Sequence, residues 1–345
     1  MYQQTNKDDT PYKFQLLEPA VNKRLLSLFT GQTVGYAGYG PSKYIMPQKY
    51  RKIAEDIYNL EVRSDDVVVL TFPRCGTTWT QELVWLIQNN LDFETSKSIN
   101  IVKRWTFIEH SSFLDPNTTN VYRKENENNE VALKAFEEFG NSLIPQLDRA
   151  PSPRFIKTHL PFSLLPPRLL DTTKVVYVVR DPRDVAISFY HHNRLIRTHN
   201  YVGDFKTYWE LFLNDLILYS PYFAHLKEAW AKRNHPNILF LFYEDMVADF
   251  PAVIRRVAKF FDKDLTDDQV QSLYEYLKFD NFQKNPAVNF NTFTSMGITN
   301  KGEQPFIRKG KSGSWREEFD EEMTAQAQNW MDQHLKGTDI KLPFY

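Results

Sequence analysis

Apolar, β-branched runs that stop abruptly at polar residues recur along this chain, and helical patterns fill the spaces between them. Val67–Phe72 (VVVLTF) is the first such run, and the pattern predicts a short buried strand followed by a helix over Thr78–Asn89. Arg154–His159 reads as a second strand, Lys174–Arg180 (KVVYVVR) as a third and Asn237–Tyr243 (NILFLFY) as a fourth. Pro182 suits the first turn of a helix that follows the third strand. Phe205–Arg233 carries aromatics at helical spacing, and Pro251–Phe261 and Thr266–Tyr276 read as amphipathic helices. Thr266 before Asp267 and Asp268 is a helix-start signal. Continuous apolar strands alternating with helices predict an α/β fold, with a central, mostly parallel sheet covered on both faces. Ligands of such sheets bind at the carboxyl ends of the strands.

The remaining pattern sets the organisation. Residues 1–50, rich in Gly, Pro and Tyr (GQTVGYAGYGPSKY), are expected to form an irregular arm packed on one globular unit spanning 51–345. No internal repeat or low-complexity linker interrupts that unit. Asn117–Phe139 is polar and charged, then helical, and is expected to be a solvated excursion over the sheet.

Composition narrows the function. At 42% hydrophobic and 25% charged, the 345 residues match a soluble globular protein. A formal net charge of −1 argues against a nucleic-acid-binding surface, so any basic site must be local. The start, MYQQTNKDDTPYKF, lacks the apolar core of a secretory signal. Runs such as ILFLFY fall far short of the ~20 residues a bilayer span needs, so no membrane partner is expected. One cysteine, Cys75, rules out an intrachain disulfide and points to a cytoplasmic location. The Asn117-Thr118-Thr119 sequon then reads as chance rather than a glycan site.

Four polar segments carry the chemistry. The first strand ends in Pro73-Arg74-Cys75-Gly76-Thr77-Thr78-Trp79. It lacks the GxxxxGK[ST] pattern of nucleotide hydrolases, but it has a cation, a glycine and two hydroxyls before a helix, the ingredients of a phosphate cradle. The second ends in Lys157-Thr158-His159-Leu160-Pro161, and alternation puts Lys157 and His159 on one side of the strand. The third ends in Arg180-Asp181-Pro182-Arg183-Asp184, with Ser188 two turns on, a pairing able to clamp a second phosphate. Near the C-terminus, Phe306-Ile307-Arg308-Lys309-Gly310-Lys311-Ser312-Gly313-Ser314-Trp315 packs three cations between glycines.

Together these segments resemble the cytosolic sulfotransferases. Their TYPKSGTTW loop, KTHLP strand end, VVYVxRNxKDVAxSxYH strand and helix, LFYEDM strand end and RKGxxGDW loop stand here as TFPRCGTTW, KTHLP, VVYVVRDPRDVAISFYH, LFYEDM and RKGKSGSW. Within the family the chain looks most like an insect branch that includes a retinol dehydratase. The resemblance implies the donor 3′-phosphoadenosine 5′-phosphosulfate, the product adenosine 3′,5′-bisphosphate and no metal. It implies that Arg74, Cys75, Gly76, Thr77, Thr78 and Trp79 hold the 5′-phosphosulfate, and that Arg180, Ser188, Arg308, Lys309 and Gly310 hold the 3′-phosphate. Trp79, Tyr243, Leu277 and Phe279 would surround the adenine. His159 would be the general base, with Lys157 and Arg74 on the transferring group and leaving phosphate. Trp105, Phe107, Phe162, His192 and the stretch Phe290–Phe293 would line a pocket for a small, largely apolar acceptor. His191-His192 reads as helix surface or pocket wall, without the partners of a zinc site.

The chain departs from the family pattern at four points. Arg74 replaces a lysine, Leu277 a threonine beside the adenine, and Ser314 an aspartate. The family's dimer motif has become RxxxDExxxA over Arg316–Ala325, which puts dimerisation by that route in doubt. Three functions compete: sulfonation of an apolar alcohol or phenol, sulfonation followed by elimination as in a retinol dehydratase, and a nucleotide-binding module without catalysis. A nucleoside-phosphate kinase fits least, since the Walker lysine pattern and a clear magnesium-binding acid are missing.

Overall fold

Five parallel strands form the centre of the molecule in a computed structural model that describes residues 2–3, 13–295 and 297–343. Four short strands precede them: β1 (Tyr2–Gln3), β2 (Phe14–Leu17), β3 (Tyr36–Tyr39) and β4 (Tyr44–Pro47). The central sheet contains β5 (Val67–Thr71), β6 (Thr106–Phe107), β7 (Phe155–Thr158), β8 (Lys174–Val179) and β9 (Ile238–Phe242). Its order is β6-β7-β5-β8-β9, so β5 lies in the middle, with Val69 beside Lys157 on one flank and Val176 on the other. β5 is buried along its whole length. Val68 and Leu70 join the core on one face, Val67 and Val69 the core on the other, as the twofold side-chain period requires. The four expected strands are present, each shorter by a residue or two.

The helices cover both faces. Thr77–Gln88 follows β5 and Pro182–Leu195 follows β8, with Pro182 in its first turn and Asp181 capping Arg183 N–H. Thr266 forms a capping box with Gln269 at the head of Asp267–Leu277, and Phe250–Phe260 packs nearby in the same core. The aromatic-rich segment is two helices, Phe205–Leu213 and Tyr222–Ala231. They are separated by a turn in which Asp215 and Tyr219 adopt positive φ ahead of Pro221, which has no N–H to continue a helix.

Two expectations fail here. The arm is not irregular: β1 to β4 form an antiparallel sheet, and Pro19–Leu28 is a helix. Residues 1 and 4–12 of the arm lie outside the described ones. Tyr36, Tyr39, Tyr44 and Tyr50 are buried in the same core as β5 and β8. Strands of four residues buried on both sides show no alternation, so glycine and tyrosine content reads as loop. Nor is the stretch from 117 to 139 merely a solvated excursion. It supplies helices Pro116–Glu125 and Glu130–Gly140, begun by Asp115 and Asn129 caps, and its Tyr122 lines the main cavity.

Candidate active site

The carboxyl ends of β5, β7, β8 and β9 open into one cavity of about 290 Å³. At the end of β5 the chain turns through Arg74 and Gly76, both at positive φ (71° and 93°). A side chain at Gly76 would meet the Tyr243 ring at 2.7 Å, so only glycine fits this close approach. Gly76 begins the helix Thr77–Gln88, and no side chain among the described residues caps it. Its first-turn N–H groups therefore face the cavity without a capping oxygen, which is the helical arrangement that binds anions. Thr77 is fixed by Thr71 Oγ1 at 2.7 Å, while Thr78 and Trp79 line the cavity. Cys75 departs from expectation: its side chain is fully buried in the core, and burial pushes its thiol far up, so only its main chain is available.

Three guanidinium groups converge beyond this loop. Arg74, Arg180 and Arg308 all line the cavity. Burial pushes Arg74 down to about 9, with Arg180 and Arg308 adding like-charge repulsion. Arg308 is lowered by the same two effects, burial first and then Arg180. Among the described residues Arg308 makes no ion pair or hydrogen bond through its side chain. Arg180 has Asp184 at 3.9 Å, whereas Arg74 and Arg308 have no ion-pair partner among the described residues, and half-buried like charges left in that state suit a site whose anion comes from a ligand. Arg180 donates to the carbonyl oxygens of Arg74 (3.1 Å) and Lys311 (2.9 Å), tying the two loops together, and its guanidinium lies 4.3 Å from the Tyr243 ring centre. Lys309 lines the cavity but turns its ammonium to Glu317, at 2.6 Å. Gly310 has φ 62°, and a Cβ there would lie 2.1 Å from the Phe279 ring. Ser188 accepts from Arg74 Nε at 3.1 Å.

An aromatic slot adjoins these cations. Trp79 stacks on Phe250 at 4.4 Å and donates from Nε1 to the carbonyl oxygen of Leu277 at 2.9 Å, which fixes its ring at the cavity edge. Tyr243, Leu277 and Phe279 line the same region.

His159 stands at the end of β7, buried, with rings of Phe107 and Tyr219 edge-on at 5.5 and 5.4 Å. Its Nδ1 lies 2.8 Å from the carbonyl oxygen of Thr71. A carbonyl only accepts, so Nδ1 carries the proton and Nε2 keeps its lone pair, with no protein partner among the described residues. Burial holds this imidazole well below its ordinary value, and the neighbouring Lys157 charge adds to the effect, so the ring is neutral. Lys157 sits 4.1 Å over the Phe107 ring. Burial lowers its ammonium, while Glu109 opposes that fall.

Another part of the cavity wall is aromatic. Trp105, Phe107 and His192 line it as expected, with Phe290 and Phe293 from the predicted aromatic stretch. Phe162 does not. The turn Phe162–Leu164 carries it into the core, where its ring lies 5.7 Å from Lys232. His192 and His199 both line the cavity, each with an Nδ1 that has no partner among the described residues. No cluster of three His, Cys, Asp or Glu side chains is arranged for a metal ion among the described residues.

Several contributors are absent from the sequence reading. Glu109, following β6, accepts from His159 N–H (2.6 Å), Thr158 Oγ1 (3.0 Å) and Tyr219 OH (3.1 Å). A carboxylate just past a short strand was the available signal. Asp184, fully buried, accepts from Gly313 N–H, Ser314 Oγ and Trp315 N–H, and so anchors the basic loop to the helix after β8. Ser314, standing where the resemblance has aspartate, donates there. Phe306 is a further cavity wall.

The chain as a whole is similar to known proteins. Residues 64–339 match the family model described as Sulfotransferase domain. Luciferin sulfotransferase of Photinus pyralis is 34% identical over 311 residues, 88% of this chain and 81% of the relative. Sulfotransferase 1E1 of Homo sapiens is 30% identical over 298 residues, 86% and 92% of the two chains. A crystal structure of retinol dehydratase in complex with androsterone and the inactive cofactor PAP superposes with a TM-score of 0.92 at 44% identity, covering 97% of this chain and 99% of that one. No helix among the described residues is long and apolar enough to cross a membrane.

Proposed function

The chain belongs to the sulfotransferase family, and from that premise we propose that it moves the sulfuryl group of 3′-phosphoadenosine 5′-phosphosulfate to a hydroxyl of a small, largely apolar acceptor. The observation that carries this reading is the shared cavity, in which a neutral imidazole and a three-guanidinium anion site stand at adjacent strand ends. The uncapped helix after Gly76 and the side chains of Thr77 and Thr78 hold the 5′-phosphosulfate. Arg180, Arg308 and the N–H groups around Gly310 hold the 3′-phosphate, with Ser188 beside them. Trp79, Tyr243 and Phe279 enclose the adenine, and Leu277 offers it an apolar side chain only.

The donor supplies an activated sulfur with an adenosine bisphosphate leaving group. The chain's own residues do the rest. His159 Nε2 takes the acceptor's proton as the hydroxyl oxygen bonds to sulfur, and the bond from sulfur to the bridging phosphate oxygen breaks. Lys157 neutralises charge on the moving group, and Arg74 offers Nη1, the nitrogen not engaged with protein, to the leaving phosphate. The aromatic wall selects flat alcohols over sugars, which would need more polar partners. A cytosolic setting suits this chemistry.

A second outcome is favoured by the 44% identity to retinol dehydratase. With an allylic alcohol, the sulfate ester would lose sulfate and a proton, giving net dehydration. Mass spectrometry of the products from retinol and donor separates the two: a stable ester identifies transfer alone, and a dehydrated hydrocarbon with free sulfate identifies elimination. Absence of acceptor-dependent bisphosphate release across phenols, sterols and retinoids would reject both.

A further inference from the structure

Arg74 lies where the two halves of the cavity meet, and two of its three nitrogens are already engaged. Nε donates to Ser188 on the donor side, and Nη2 donates to the carbonyl oxygen of Phe306 at 2.7 Å. The same guanidinium lies 4.7 Å from the centre of the Phe306 ring. Phe306 in turn stacks on Phe290 at 3.8 Å and 20°, and Phe290 on Phe293 at 4.7 Å and 29°. All three rings line this same cavity. Phe290 holds a positive φ of 65°, a conformation that strains a bulky residue and persists only where its surroundings impose it.

We infer that Arg74 is a specificity-determining residue: by stacking on Phe306 and bonding its carbonyl, it pins a three-ring aromatic column that recognises long, flat alcohols. This rests on the acceptor reading above. It also gives a physical reason for arginine where the resemblance has lysine. A planar fork can bond two acceptors in its plane and stack through its face at once, whereas an ammonium is a point charge that cannot hold a ring by its plane. A one-ring phenol touches one member of the column. A polyene or fused-ring alcohol runs along all of it, so only the longer acceptor depends on the column staying together.

The test uses the full chain in four forms: wild type, Arg74→Lys, Phe306→Leu and the double variant. Binding of a polyene alcohol without donor is read from quenching of tryptophan fluorescence, and kcat/KM is measured for that alcohol and for a one-ring phenol. Arg74→Lys keeps the charge, and far-UV circular dichroism checks that each variant folds. Each single variant is expected to weaken polyene binding roughly tenfold, about 1.4 kcal/mol. The double variant should be no worse than Phe306→Leu alone, since Arg74 acts on the polyene only through the Phe306 ring it holds in place. The kcat/KM ratio of polyene to phenol should fall by the same factor. Equal losses for both acceptors, unchanged polyene binding in Arg74→Lys, or multiplying effects in the double variant would each overturn the inference. The donor-free binding arm needs no turnover, so a failure of the transferase reading shows separately, as wild-type binding without product.

Discussion

Glu109 accepts the main-chain N–H of His159 at 2.6 Å from a position with no exposure to solvent. On the other side of the same residue, His225 lies 3.1 Å from the His159 carbonyl oxygen, and Tyr177 OH meets the second nitrogen of His225 at 2.9 Å. Because the carbonyl only accepts, His225 Nε2 is the donor, and Tyr177 donates to Nδ1. Thr71 holds the His159 ring itself. One residue is thus held at its N–H, its carbonyl and its imidazole, and its Nε2 has no protein partner among the described residues. A base fixed this way loses little freedom when an acceptor arrives.

Replacing His159 with Ala should lower kcat/KM roughly 100- to 10,000-fold, the usual contribution of a positioned general base. Affinity for adenosine 3′,5′-bisphosphate should change by less than about threefold, because the ring bonds no part of the anion site. Steady-state kinetics beside calorimetric titration separates the two effects. A variant within a few-fold of wild type in turnover rejects the base assignment.

The pH profile follows from the direction of two shifts. His159 is held below its ordinary 6.5, so it remains deprotonated through neutral pH and the acid limb of kcat/KM should lie below that value. Lys157 is held below its ordinary 10.5, so loss of its proton should bring the alkaline limb below that value. Glu109 raises the Lys157 ammonium, and Glu109→Gln should therefore move the alkaline limb to still lower pH. A limb that stays put in this variant would show that Lys157 does not set it.

Arg180→Ala should weaken adenosine 3′,5′-bisphosphate roughly 10- to 100-fold, the range expected for losing a charge-assisted hydrogen bond. AMP, which lacks the 3′-phosphate, should lose far less. Equal losses for the two nucleotides, measured by calorimetry, would remove Arg180 from the 3′-phosphate site.

Gly310→Ala tests the basic loop without touching a charge. The added methyl would sit 2.1 Å from the Phe279 ring at a φ of 62°, so either the loop or the ring must move. Donor affinity should drop roughly tenfold, in line with about 1–3 kcal/mol of local strain, while the far-UV spectrum stays that of wild type. Unchanged affinity would show that the loop does not close against Phe279.

The parallel sheet was legible because its central strands, β5 and β8, are buried along nearly their whole length and run as unbroken apolar segments such as Val67–Thr71. Arg74, Lys157, His159 and Arg180 were legible as cavity residues for a related reason, since polar groups that end such strands have few places to go but the carboxyl-end crevice, whereas Leu277, Phe279 and Arg308 were placed by the resemblance. What escaped depends on neighbours that sequence order does not reveal. Glu109 acts on His159 across the β6–β7 pair, His225 reaches it from the helix Tyr222–Ala231, and Asp184 holds a loop far along the chain. Phe162 was misassigned because it follows the Lys157–Pro161 motif directly, although the turn there sends its ring into the core. The N-terminal sheet was missed because its strands span four residues or fewer, and β3 and β4 are too fully buried to show a period.

The central claim is that one cavity aligns an imidazole base with an adenosine 3′,5′-bisphosphate anion site for sulfuryl transfer. Sulfur-labelled donor incubated with the protein and a panel of phenols, sterols and retinoids tests it most directly. The account predicts acceptor-dependent label in an organic sulfate, or in free sulfate matched by dehydrated product, in step with bisphosphate release and abolished in His159→Ala. Label that stays on the bound donor whatever the acceptor, or transfer that persists in His159→Ala, would contradict it.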